Sequence, residues 1–148
     1  MKWLTFLKSG IIGVLAAIGS YIASAFGGWD TSIITLLSFM AIDFLTGLIV
    51  AGVFKNSKKT DNGALKSSTG WKGLCKKGVT LLIVVVANRL DMQLATTYIR
   101  DAVCIAFIVN ETISIVENAG LMGIPIPKVI TKAIELLKAT ESNENEPK

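Results

Sequence analysis

The sequence predicts an all-α integral membrane protein, and three observations carry that reading. First, 51% of its 148 residues are apolar, mean hydropathy is +0.57 and only 18% are charged, where a soluble domain carries about 25%. Second, the charges are clustered. No charged residue lies between Lys8 and Asp30, and only Asp43 lies between Asp30 and Lys55; such runs exceed the roughly 18 apolar residues that mark a membrane span. Third, the net charge of +4 is concentrated in one segment, where Lys55, Lys58, Lys59, Lys66, Lys72, Lys76 and Lys77 accompany a single acid, Asp61. A basic stretch between apolar spans reads as a cytoplasmic loop facing anionic lipid. It is too short and too closely flanked by membrane to read as a nucleic-acid site. The length is one domain's worth, with a membrane domain over 1–139, a basic loop at 55–73 and a disordered polar tail at 140–148.

The first helix is expected near 9–29. Lys2, Lys8, an apolar core and Ala23-Ser24-Ala25 have the order of a signal peptide. The apolar run continues past Ala25, however, so an uncleaved span is expected. Gly13, Ala16, Ser20, Ala23 and Gly27 recur at spacings of three and four and share one face. Small residues on one face let membrane helices approach closely, either within one chain or between copies. The second span, 31–54, carries Phe39, Asp43, Gly47 and Ala51 at intervals of four, with Thr46 beside them. A charge at bilayer depth costs about 2.5–3.5 kcal/mol on insertion scales. Asp43 must therefore face protein, water or a partner, or be protonated.

The basic loop contains Gly63, Ser67, Ser68 and Gly70, signals of flexibility, and a helix is expected to start near 74. From Gly78 to Asn118 two readings compete: two short helices, near 74–90 and 94–118, joined by a turn around Asp91 to Asp101, or one span with buried charges followed by a polar helix. The four clustered charges Arg89, Asp91, Arg100 and Asp101 favour an interfacial turn, giving four membrane helices, with three as the alternative. Asn110, Ser114 and Glu117 share a face, with Glu111 at its border and Asn118 after it; such a stripe lines water, bonds a neighbouring helix or faces solvent. Pro125 and Pro127 stiffen the chain before an amphipathic helix at 127–139, with Ile130, Ala133, Ile134 and Leu137 on one side. The lysine distribution places both termini in the cytoplasm.

The chain has no histidine and two isolated cysteines, Cys75 and Cys104. No nucleophile–base pair, metal cluster or phosphate-cradling loop can be assembled from its motifs. We expect no enzymatic activity and no cofactor; the function is physical, exerted on a membrane.

Four motifs, in order, carry a resemblance: Asp43-Phe44-Leu45-Thr46-Gly47, the run from Gly70 to Lys77, the run from Asn110 to Asn118, and Gly123-Ile124-Pro125-Ile126-Pro127. Together they resemble the toxin-secretion/phage-lysis holins of Gram-positive phages and clostridia. The resemblance implies a protein that oligomerises in the cytoplasmic membrane and opens lesions. These collapse the membrane potential and release a cell-wall hydrolase or toxin, and the host lyses. It brings no catalytic or ligand site. Two other classes fit the residues: a small proton-coupled transporter using Asp43 and Glu111 as relays, and a membrane anchor that docks a soluble partner.

Overall fold

The structure, a computed structural model, describes residues 2–144, with side chains for 3–136. It is all-helical among those residues. Helix α1 spans Lys2–Ala25, α2 Thr31–Ile49, α3 Ser67–Leu94, α4 Ile99–Leu121 and α5 Lys128–Glu144. Two of these, α1 and α2 with the turn that extends it to Phe54, are long and apolar enough to cross a membrane.

Helices α2, α3 and α4 pack into one core, α2 chiefly against α4, with which it runs parallel: Asp30 meets Arg100 at one end and Asn56 meets Leu121 at the other. Ile33, Leu36, Met40, Val84 and Cys104 fill it, with Phe26, Leu37, Leu81, Val103, Phe107 and Ile108 around them. On α2 the buried residues Ile33, Leu36, Met40 and Asp43 fall at helical spacing, so one face meets α4. The other faces of the bundle are apolar and bare: Ile34, Ile42, Leu45, Val79, Leu82, Val86 and Ile105 are exposed, while Asp43, Asn88, Asp91, Glu111 and Asn118 are buried. Apolar outside with polar inside is the arrangement that hydrocarbon, not water, stabilises.

Helix α1 leans on this core only at its carboxyl-terminal end; along the rest, Trp3, Phe6, Ile12, Leu15 and Tyr21 are exposed. It stops at Ala25, short of the expected boundary at 29, because Gly27 and Gly28 take φ +82 and +110. There the Gly28 N–H donates to Ala23 O at 2.8 Å, a left-handed helix ending open to glycine. Asp30 then caps α2, accepting from the Ile33 N–H at 3.1 Å.

The end of α2 widens into a π-helical turn, Val50–Phe54, which buries both Val50 and Ala51. The expected flexible loop at 55–73 is shorter and ordered. Ser67, Ser68 and Gly70 lie inside α3, which begins seven residues before the expected 74. What remains, 55–66, is a folded turn. Ser57 N–H donates to Gly63 O at 3.0 Å, Thr60 Oγ1 to Ala64 O at 2.9 Å, and Asn56 Nδ2 to Leu121 O at 3.1 Å. Helices α3 and α4 are separate, joined by a turn at 95–98 as the clustered charges suggested. Asp91 holds that turn, its carboxylate accepting from Thr96 Oγ1 at 2.5 Å, Ile99 N–H at 3.1 Å and Arg100 N–H at 2.8 Å. Helix α5 runs through 140–144, where a disordered tail was expected; residues 145–148 lie outside the described residues. It rests against α4 and buries Ile134, leaving Val129 and Leu136 exposed.

Candidate functional site: a buried ion centre between three helices

Asp43 on α2, Lys77 on α3 and Glu111 on α4 meet at mid-length of the bundle. Lys77 Nζ lies 2.8 Å from Asp43 Oδ2 and donates a short hydrogen bond to Glu111 Oε2. All three side chains are at most 15% exposed. Asn118, two helical turns beyond Glu111, extends the centre. Its Nδ2 donates to Asp43 Oδ1 at 3.0 Å and approaches Thr46 Oγ1 at 3.0 Å, while Thr46 Oγ1 itself donates to Ile42 O at 2.8 Å. Gly47 faces α4 here, and a Cβ there would make ordinary contact with Asn118 Nδ2 at 3.7 Å.

Two carboxylates therefore share one ammonium, leaving a formal excess of one negative charge inside the bundle. Away from water this attraction is strong, but the cost of desolvating each ion is of similar size. The centre thus adds less to stability than to specificity: with a partner removed, the remaining charge is left buried and unpaired.

This placement corrects two sequence-based expectations. Of the seven lysines expected in a basic loop, Lys55, Lys58, Lys59 and Lys66 precede α3, whereas Lys72, Lys76 and Lys77 lie within it, and Lys77, ten residues inside, turns inward. The signal for it was electrostatic, since two acids in apolar spans need a cation and Lys77 directly precedes an apolar run. The polar face of α4 is also phased differently. Cys104, Glu111 and Asn118 are its buried positions, seven residues apart. Asn110 and Glu117 are exposed and Ser114 is half-buried, Ser114 and Glu117 bordering a cavity beside the centre. Asp43, Thr46, Glu111 and Asn118 thus come together, and Asn110 does not join them.

A second polar cluster, unforeseen in the sequence, fastens α1 to the far end of the bundle. Arg100 Nη1 donates to Phe26 O at 3.1 Å, and its Nη2 pairs with Asp30 and, at 2.7 Å, with Asp101. Asn88 Nδ2 donates to Ala25 O at 3.0 Å. These bonds satisfy carbonyls at the end of α1 that have no helical partner. Burial pushes the Asp30 carboxyl upward, but the Ile33 N–H and the Arg100 guanidinium outweigh this and hold it below its ordinary value. Gly27 admits the cluster, since a Cβ would lie 2.5 Å from Asn88 Oδ1. Of the small-residue face of α1, Gly13, Ala16 and Ser20 are exposed and Ala23 is half-buried; within one chain only its last member, Gly27, is used for close approach.

An apolar exterior, spans of membrane length and an ion centre shielded between helices define a small helical membrane protein. Residues 20–139 match the bacteriophage holin family, and the chain belongs to that family. It is 36% identical over 136 residues to a 14.9 kDa protein from the nagH 3′ region of Clostridium perfringens, covering 90% of this chain and 94% of that one. It is 34% identical to YtkC of Bacillus subtilis, over 87% of this chain and 91% of that one. It is also 31% identical to a probable holin of Bacillus phage phi105, over 75% and 77% of the two chains. No solved structure matches it.

Proposed function

We propose that this chain is a working holin: it accumulates in the bacterial cytoplasmic membrane, self-associates and opens lesions through which a cell-wall hydrolase, or a toxin, reaches the wall. Four helices, α1 to α4, span the bilayer, with the amino terminus, the 55–66 turn and α5 on the cytoplasmic side. Lys58, Lys59, Lys66, Lys128 and Lys132 then all lie on the cytoplasmic side, which the positive-inside rule favours. The protein acts without catalysis and without a cofactor, and its hydrolase partner needs no stable contact with it.

The observation that carries this reading is the pairing of a bare α1 with an internally satisfied α2–α3–α4 bundle. In a single chain the Asp43–Lys77–Glu111 centre is closed off from lipid, and the Gly13–Ala16–Ser20 face is unused. As copies accumulate, mass action favours association, and small residues on α1 provide a close-packing face. In an assembly large enough to hold water, the centre exchanges its internal pairing for hydration, and the polar groups line the lesion. Collapse of the membrane potential contributes, since moving one charge through it is worth about 2.3 kcal/mol per 100 mV.

Induction in bacteria with and without a co-expressed cell-wall hydrolase tests this. Abrupt lysis that requires the hydrolase is the expected result; growth unaffected in both cultures overturns it. The cavity beside the ion centre also favours a second reading, a proton-coupled transporter using Asp43 and Glu111. That reading predicts saturable movement of one solute and no escape of folded protein.

A further inference from the structure

Between the 55–66 turn and helices α2, α3 and α4 lies a cavity of about 140 Å³ with both basic and apolar lining residues. The exposed Lys58, Lys59 and Lys66 line it together with the hydroxyl residues Ser57, Thr60 and Thr69, and Phe44, Leu48, Leu65 and Leu121 supply apolar surface. The three lysines make no ion pair among the described residues. Two carboxylates reach the lining, Asp43 and Glu117. Asp43 is already engaged by Lys77 and Asn118, so three cations face one uncompensated acid. The level in the membrane is marked by Phe54, Leu65 and Trp71, all exposed around the same end of the bundle; tryptophan at such a level suits the headgroup boundary.

We propose that this cavity binds the phosphodiester headgroup of an anionic phospholipid, with the phosphate on Lys58, Lys59 and Lys66 and the first carbons of an acyl chain against Leu65, Leu48 and Phe44. Basic pockets between membrane helices recognise headgroups in this way. A soluble phosphate would use the lysines and leave the apolar walls wet, so the lining selects a lipid over a free anion. The folded turn, fixed by Asn56 on Leu121 O and closed at Gly63, presents the lysines already placed, which reduces the ordering cost of binding. The site depends on the turn lying at a membrane surface; it does not depend on lesion formation.

The test uses the full chain in a mild non-ionic detergent, titrated separately with phosphatidylglycerol, phosphatidylcholine and inorganic phosphate, with bound molecules counted by native mass spectrometry. Phosphatidylglycerol should bind at least tenfold more tightly than phosphatidylcholine, and inorganic phosphate should neither bind nor compete. Lys58→Gln, Lys59→Gln and Lys66→Gln should each weaken the bound lipid about fivefold, while Lys128→Gln with Lys132→Gln leaves it unchanged. Equal binding of the two lipids by the unaltered chain overturns the proposal whether or not any variant folds. So does competition by phosphate, or a loss in the α5 variant equal to that in the loop variants. Binding that appears only after residues 139–148 are deleted assigns the lysines to the chain's own acids and also overturns it.

Discussion

Lys77 Nζ sits 2.8 Å from Asp43 Oδ2, joining two helices that are 34 residues apart in sequence at these positions and making the lysine, among the described residues, the one cation paired with the buried acids Asp43 and Glu111. The order of damage on substitution follows from that arrangement. Lys77→Gln leaves two carboxylates buried without a counter-charge, a loss of about 3–5 kcal/mol for a broken buried pair. Asp43→Asn and Glu111→Gln each remove the excess negative charge and leave one neutral pair, so both should cost less. Thermal unfolding in detergent measures this; a Lys77→Gln chain as stable as the other two would remove the ion centre as a structural element.

Lysis timing reads the same centre in the cell. If the acids line water in the open assembly, Asp43→Asn and Glu111→Gln should both shift the time of lysis in an expressing culture. Unchanged timing and lethality in both variants would exclude any part for the polar faces in opening.

Asn118 donates to Asp43 and packs against Gly47. Asn118→Leu takes a donor from a buried carboxylate and should cost about 1–3 kcal/mol. Asn118→Asp should be worse than leucine, since it sets a third acid beside Asp43. Stability in detergent, ranked across the two variants, checks the sign.

Gly27 and Gly28 separate strain from collision. Both hold positive φ, so alanine is strained at either. Only at Gly27 does the new Cβ meet Asn88 Oδ1 and Arg100 Nη1, at 2.5 and 2.7 Å; at Gly28 it meets nothing within 4 Å. Gly27→Ala should therefore free the end of α1, seen as a longer spin-label distance between α1 and α3, while Gly28→Ala keeps it docked.

The Arg100 cluster gives a pH dependence. The Asp30 carboxyl is held below its ordinary value of 3.8 in the folded chain. Its contribution is thus fully present above that value and is lost as pH falls through the lower, folded value. Asp30→Asn keeps an N-cap and removes the charge. The stability difference between the two chains should be constant from pH 7 to about 5 and close at lower pH. A difference that grows on acidification would contradict the assigned sign.

Much of the architecture was legible because hydrocarbon is an undemanding solvent to read. Long apolar runs, the charges that interrupt them between Arg89 and Asp101, and the Pro125–Pro127 stop are local features, and each maps onto a helix or a turn without reference to any partner. Asp43 and Glu111 stood out for the same reason, as charges where lipid tolerates few. What a side chain faces across a helix pair is not local. Lys77, adjacent in sequence to Lys76 and read as loop, is drawn inward by acids on two other helices. The buried face of α4 runs through Glu111 and Asn118 instead of Asn110 because α2 lies on that side. Gly27 and Arg100, 73 residues apart, are joined only by folding. Composition and periodicity set which segments leave water, since that depends on each segment's own transfer free energy. Only the packed helices decided which charges meet, since Coulomb attraction and hydrogen bonding depend on distances of a few ångströms that no single segment contains.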